Sequence, residues 1–246
     1  MAALTVVLVA FVLLIGLTIF IRRGFRPPQR PLTAYRSLRG LVGQAVEGGR
    51  RTHLSLGPGS LIGEEANTIL AGLAVLDAVA EGSTIGDLLP VTTTGDAPTW
   101  LVMGDTMLRV YRKHAMLDRY RRAPARLVAL DAMAMAGGIT SIIHDEAVQG
   151  SVLIGSFGPE VALITEAASR HHIPQVVGSD RLEAQAVAFA VAEHPIIGEE
   201  VYVARAYLDD PPPSALAGLA VQDVLRWLVV GVIVIGAVLA SLGLLG

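Results

Sequence analysis

The sequence predicts an α/β fold: a mostly parallel open sheet with helices on both faces, Rossmann-like and doubly wound, flanked by two transmembrane helices. Three observations lead there. Short apolar strands alternate with helical stretches of ten to twenty residues through the middle of the chain, the pattern of βαβ units. Most strands run into a turn rich in Gly, Ser, Thr or Asp before the next helix, as parallel-sheet connections do. Two uncharged apolar runs, residues 4–21 and 227–246, lie near the ends of the 246-residue chain. Each is long enough to cross a hydrocarbon core of about 30 Å at about 1.5 Å per residue.

The first span, residues 4–21, is followed directly by Arg22, Arg23, Arg26 and Arg30, with no acid before them. The net charge of −3 therefore divides into +4 up to Arg30 and −7 beyond it. Arginines in a short flanking segment stay on the cytoplasmic side. The expected topology is multi-pass in a bacterial cell membrane, with the body cytoplasmic and both termini outside. A cleaved signal peptide is the competing reading of the first span, but it needs its positive charges before the apolar run, and here they follow it.

Residues 22–50 form a basic joint with Pro27, Pro28 and Pro31, then an amphipathic helix over 32–46. Its Leu38, Leu41, Val42, Ala45 and Val46 recur at helical spacing, and Thr33 is a suitable N-cap. This helix either lies on anionic headgroups or packs on the domain. The body, residues 51–209, carries strands at 52–56, 88–93, 126–130, 151–154, 175–177 and 200–208. Helices fall between them at 61–80, 99–115, 132–145, 161–171 and 182–192. A joint over 210–224, with Pro211, Pro212 and Pro213, leads to the last span, 225–246, where Arg226 and Trp227 suit a membrane interface.

Composition narrows the function. The chain has no cysteine, which removes disulfides, zinc–thiolate sites, iron–sulfur clusters and cysteine nucleophiles. The acidic body argues against nucleic acid as partner. The six histidines (His53, His114, His144, His171, His172 and His194) show no HExxH or comparable spacing, so no metal and no cofactor are expected. No G-x-S-x-G elbow is present, and no catalytic residue is assigned.

Ligands of open parallel sheets sit beyond the carboxyl ends of the strands. The turns there supply the candidate ligand-binding residues: Gly57, Gly59, Ser60, Thr94, Asp96, Gly155, Ser156, Gly158, Ser179 and Asp180. Two readings fit them. They are ordinary helix-capping turns, or they line a crevice for a small anionic or nucleotide-like ligand. Pro159 and Glu160 complete the richest turn, and Glu160 already supplies negative charge to the following helix. The pair Glu199 and Glu200 reads as a solvated strand end or a cation contact. A basic cluster of Arg109, Arg112, Lys113, Arg119, Arg121, Arg122 and Arg126 reads as a solvated helix end or a surface for anionic lipid.

The strings LGPGS at 56–60, TTTGD at 92–96, GSFGPEVALITE at 155–166 and HPIIGEE at 194–200 together resemble an uncharacterised bacterial family of membrane-anchored domains of unknown function. The resemblance runs from about Leu54 to Leu208 and implies a shared fold and membrane attachment, with no activity to transfer. Ser179 stands where the family carries Thr, and keeps the hydroxyl.

The expected partners are the lipid bilayer and further copies of the chain. Small residues at four-residue spacing, Gly236/Ala240 and Ala237/Ser241, permit close helix packing. The favoured function is a homo-oligomeric membrane scaffold or organiser without catalysis. The alternative is a membrane-tethered sensor or binding domain for a small anionic ligand.

Overall fold

The computed structural model describes residues 2–120 and 125–242, with side chains from residue 7 onward. The chain divides into two compact units: residues 31–209, and a unit formed by the segments on either side.

The larger unit begins with α2 (Thr33–Glu47), after α1 (Ala2–Arg22) of the other unit. It continues β1 (Arg51–Ser55), α3 (Ala66–Ser83), β2 (Val91–Thr94), α4 (Ala97–Lys113), the short α5 (Leu117–Tyr120), β3 (Arg126–Leu127) and α6 (Ala132–Asp145). Then come β4 (Val148–Ile154), α7 (Val161–Arg170), β5 (Gln175–Gly178), α8 (Leu182–Val191), β6 (His194–Ile196), a 3₁₀ helix (Gly198–Val203) and α9 (Ala204–Tyr207). All five strand pairings are parallel, and the strand order is β3-β2-β1-β4-β5-β6. That is the doubly wound order, in which the chain leaves the edge at β3 and re-enters beyond β1.

Side-chain alternation along the strands sorts the core into two layers. Leu54, Leu56, Val152, Ile154, Val176 and Ile196 face α2, α3, α4 and α9. Leu153 and Val177 face α6, α7 and α8. Glycine at 150 lets α2 approach closely: a Cβ there would lie 2.0 Å from Leu41 Cδ2. Buried Tyr35 ties α2 to the 3₁₀ helix, its hydroxyl donating to the Glu200 carbonyl at 2.9 Å.

Several sequence expectations are corrected. The last strand is not at 200–208 but at His194–Ile196. Pro195 disguises that strand, since proline cannot donate to a ladder and is confined to edges. The segment 198–207 is instead helical, and its buried Val201 and Ala204 lie three residues apart, on the helical period. Glu199 and Glu200 thus sit in a 3₁₀ turn rather than entering a strand. Thr33 is not the N-cap: Leu32 holds that position, extended and without a side-chain cap, and Thr33 opens the helix. The strand expected over 126–130 shrinks to two residues, and the first long helix starts at Ala66 rather than Leu61.

In the smaller unit α1 packs against α10 (Pro213–Ser241). At 29 residues, α10 is about 43 Å long. It is the one helix among the described residues long and apolar enough to cross a membrane, and α1 contributes a shorter apolar stretch, Val7–Arg22.

Candidate functional site

The strand order puts the switch point between β1 and β4, and the loops leaving their carboxyl ends meet there. Residues 56–65 follow β1, and residues 155–160 follow β4. Gly57 takes a φ of +74°, a conformation open to glycine at little cost. Its N–H donates to Ser55 Oγ at 3.2 Å. Its carbonyl accepts from Gly95 N at 2.9 Å and from Thr94 Oγ1 at 3.1 Å. The two loops touch backbone to backbone. A Cβ on Gly155 would lie 1.9 Å from the Leu56 carbonyl oxygen, and one on Gly59 would lie 2.6 Å from Ser156 Cβ. Wholly buried Phe157 fills the space under Gly57, its ring 3.1 Å from where a Gly57 Cβ would stand.

The polar groups around this point bind one another. Ser179 Oγ accepts from Phe157 N and donates to Phe157 O, each at 3.1 Å. Asp180 Oδ2 accepts from Thr68 Oγ1 at 2.9 Å, joining the β5 turn to α3. Glu160, almost fully buried, turns back so that Oε1 accepts from Gly158 N at 2.7 Å. An anion at the α7 N-terminus would want that N–H, and the carboxylate already holds it. Asp96 caps α4, accepting from Thr99 N at 2.9 Å and from Thr99 Oγ1 at 2.7 Å. Ser60 Oγ accepts from Ile62 N within its own loop.

All ten predicted residues therefore lie on the carboxyl edge. Gly57, Gly59, Gly155, Ser156, Gly158, Ser179 and Asp180 gather around the switch point. Thr94 braces the first loop from β2. Asp96 and Ser60 serve a helix start and a turn at its side. Phe157, Thr68 and Thr99 are the residues that sequence reasoning missed. The aromatic ring set among the glycines of GSFGPE was the available signal for the first.

A second polar array lies in the middle of the sheet. His53 on β1 is completely buried. Its Nδ1 is 3.2 Å from Ser151 Oγ on β4, and its Nε2 is 3.0 Å from Thr93 Oγ1 on β2. Burial, with a smaller contribution from the Arg126 charge, lowers its pKa to about 3, so the ring is neutral at physiological pH.

Four members of the sequence's basic cluster meet acids, and neighbouring His114 does too. Lys113 and His114 both reach Glu81, Arg109 approaches Asp77, Arg119 reaches Asp87, and Arg126 pairs with Glu146 at 2.8 Å. Arg121 and Arg122 lie outside the described residues. On the opposite face of the sheet, α6 and α7 form a groove whose lining includes His144, Asp145, Glu166 and His171, with the two imidazole centroids 5.2 Å apart.

A family model described as a domain of unknown function, DUF6754, matches residues 1–245. No curated protein and no solved structure matches the chain.

Proposed function

The chain belongs to the DUF6754 family of domains of unknown function, and from that premise we propose that it is a twice-spanning membrane protein whose cytoplasmic α/β domain is a homo-oligomeric scaffold rather than an enzyme. The observation that carries this reading is the filled switch point. Where a doubly wound sheet normally opens a crevice, Phe157 occupies the space and the turn carboxylates cap their own loops. A small anion is the weaker reading, since it would have to displace Glu160 from Gly158 N and move Phe157.

Membrane attachment draws on α10 and on the character of its neighbour. Large apolar side chains point outward along both helices, with Phe11 61 % and Ile233 64 % exposed. Such a continuous surface is foreign to a soluble monomer, whose largest patch is about 300–600 Å², and lipid is its natural cover. Arg22 at the end of α1, with Arg23, Arg26 and Arg30 after it, supports a cytoplasmic body. The small-residue faces at Gly236/Ala240 and Ala237/Ser241 offer sites for helix association in the bilayer.

Two measurements test the reading. In mild detergent, light scattering on the full chain should report a discrete oligomer across concentrations; a monomer throughout would overturn the scaffold. The chain has no native cysteine, so single cysteines report topology cleanly. A cysteine replacing Gly246 should react with an impermeant maleimide on intact cells. One replacing Ile85, 86 % exposed, should react only after lysis. The reverse pattern would place the domain outside.

A further inference from the structure

The geometry points to the outer face of α8 as a homotypic interface, where a second copy of this chain packs helix on helix. This inference rests on the scaffold reading above and names the surface that reading requires.

α8 is fixed to its own domain by one side only. Ala184, Gln185 and Ala188 are buried. Gln185 clamps the helix at both ends of its amide: Nε2 donates to Ser179 O at 2.9 Å, and Oε1 accepts from Gly198 N at 3.1 Å. The opposite side presents Leu182, Ala186, Phe189 and Ala190 at helical spacing, all exposed, with exposed Glu183 at its border; Leu182 is at 79 % and Phe189 at 77 %. Val191 at the helix end and Ile197 beyond it are partly exposed as well. Large rings and branched chains held rigidly in water cost free energy that only a partner recovers. Rigid presentation also lowers the entropic cost of docking.

Several features favour a second copy over an unrelated partner. The face is self-complementary: Ala186 and Ala190, one turn apart, leave a shallow depression beside the projecting Leu182 and Phe189. Two copies related by a two-fold axis each place their knobs over the other's depression, as an isologous contact requires. Arg181 precedes the helix and Glu193 follows it, so antiparallel crossing aligns opposite charges across the contact. It also sets the two helix dipoles antiparallel, each N-terminus beside the other's C-terminus. The exposed apolar area is roughly 400–500 Å². That is about half of the roughly 800 Å² per partner in a standard interface, which suits the apolar centre of a contact with a polar rim. Confinement of the copies to one bilayer supplies the rest through effective concentration. Sheet-edge pairing is blocked next door, because Pro195 in the edge strand β6 lacks an N–H.

The absence of native cysteine gives the test. Ala186→Cys and Ala190→Cys, each in the full chain in membranes, are oxidised with diamide beside Ile85→Cys as the control on a distant exposed surface. The α8 variants should form disulfide-linked dimers of the chain roughly tenfold faster or more than the control. Phe189→Glu should lower the oligomer mass in detergent while leaving the thermal midpoint unchanged. If wild type is oligomeric yet the α8 cysteines cross-link no faster than Ile85→Cys, the surface is wrong and the scaffold stands. Cross-linking of α8 to a different protein also overturns the homotypic contact. A monomeric wild type overturns both.

Discussion

Gly155→Ala should severely destabilise the domain. The added Cβ would lie 1.9 Å from Leu56 O and 2.4 Å from Leu56 C, and neither is a side chain able to swing away. Relief requires β1 and β4 to separate at their carboxyl ends, where Ser55 pairs with Leu153 and Phe157 is seated. The expected loss exceeds about 4 kcal/mol, at the extreme of single-residue effects and a large share of a typical stability of about 5–15 kcal/mol. Urea unfolding followed by tryptophan fluorescence or protease resistance reads it out. Gly137→Ala is the control: it sits on the exposed side of α6 with nothing within 4 Å of the new methyl, and gains up to about 1 kcal/mol from helix propensity. An unchanged midpoint for Gly155→Ala would refute the backbone contact at the switch point.

Acid should destabilise the domain through His53. The folded ring holds a pKa near 3, whereas the unfolded chain restores about 6.5. Above pH 6.5 both states are neutral and this residue adds no pH dependence. Between about 6.5 and 3 the unfolded state binds the proton and the folded state does not, so stability falls as pH falls. At about 1.4 kcal/mol per pH unit, the loss reaches about 3 kcal/mol by pH 4.5. Carboxylates begin to titrate in the same range, so the informative quantity is wild type minus His53→Gln. That difference should shrink progressively from pH 7 to pH 4.5. A difference flat across that range would mean that the ring is not sealed between Thr93 and Ser151.

Much of this architecture was legible from patterning. Residues 132–145 were readable as a helix because Asp131 is a cap followed by apolar residues at helical spacing, and Asp131 does accept from Ala134 N. The alternation of elements carried the parallel sheet, and the turns fell on the carboxyl edge as a parallel sheet demands. The misplaced last strand shows where local patterning fails. EVYVARAYL alternates like a strand, but tertiary packing through Val201 and Ala204 makes it helical, while proline hid the true strand. Long-range facts were out of reach. No spacing says that Phe157 lies beneath Gly57, that Asp180 bonds Thr68 over 112 residues, or that His53 joins hydroxyls from two neighbouring strands. The acid partners of the arginine-rich run, read as a solvated helix end or a surface for anionic lipid, were equally hidden, because Asp77, Glu81 and Glu146 come from elsewhere in the chain.

The strand order also bears on how the chain emerges from the ribosome. β1 is made early, but one of its two neighbours, β4, follows about 95 residues later, an interval of roughly 5–20 s at ordinary rates of synthesis. During that wait the face later covered by α6 and α7 stands open, and on β1 it carries His53 and Ser55 rather than aliphatic side chains. Polar residues at the centre of a parallel sheet run against the usual Val/Ile/Leu pattern. Here they keep a half-made sheet wettable: Thr93 of β2 is within reach early, and His53 gains its second partner, Ser151, only when β4 arrives.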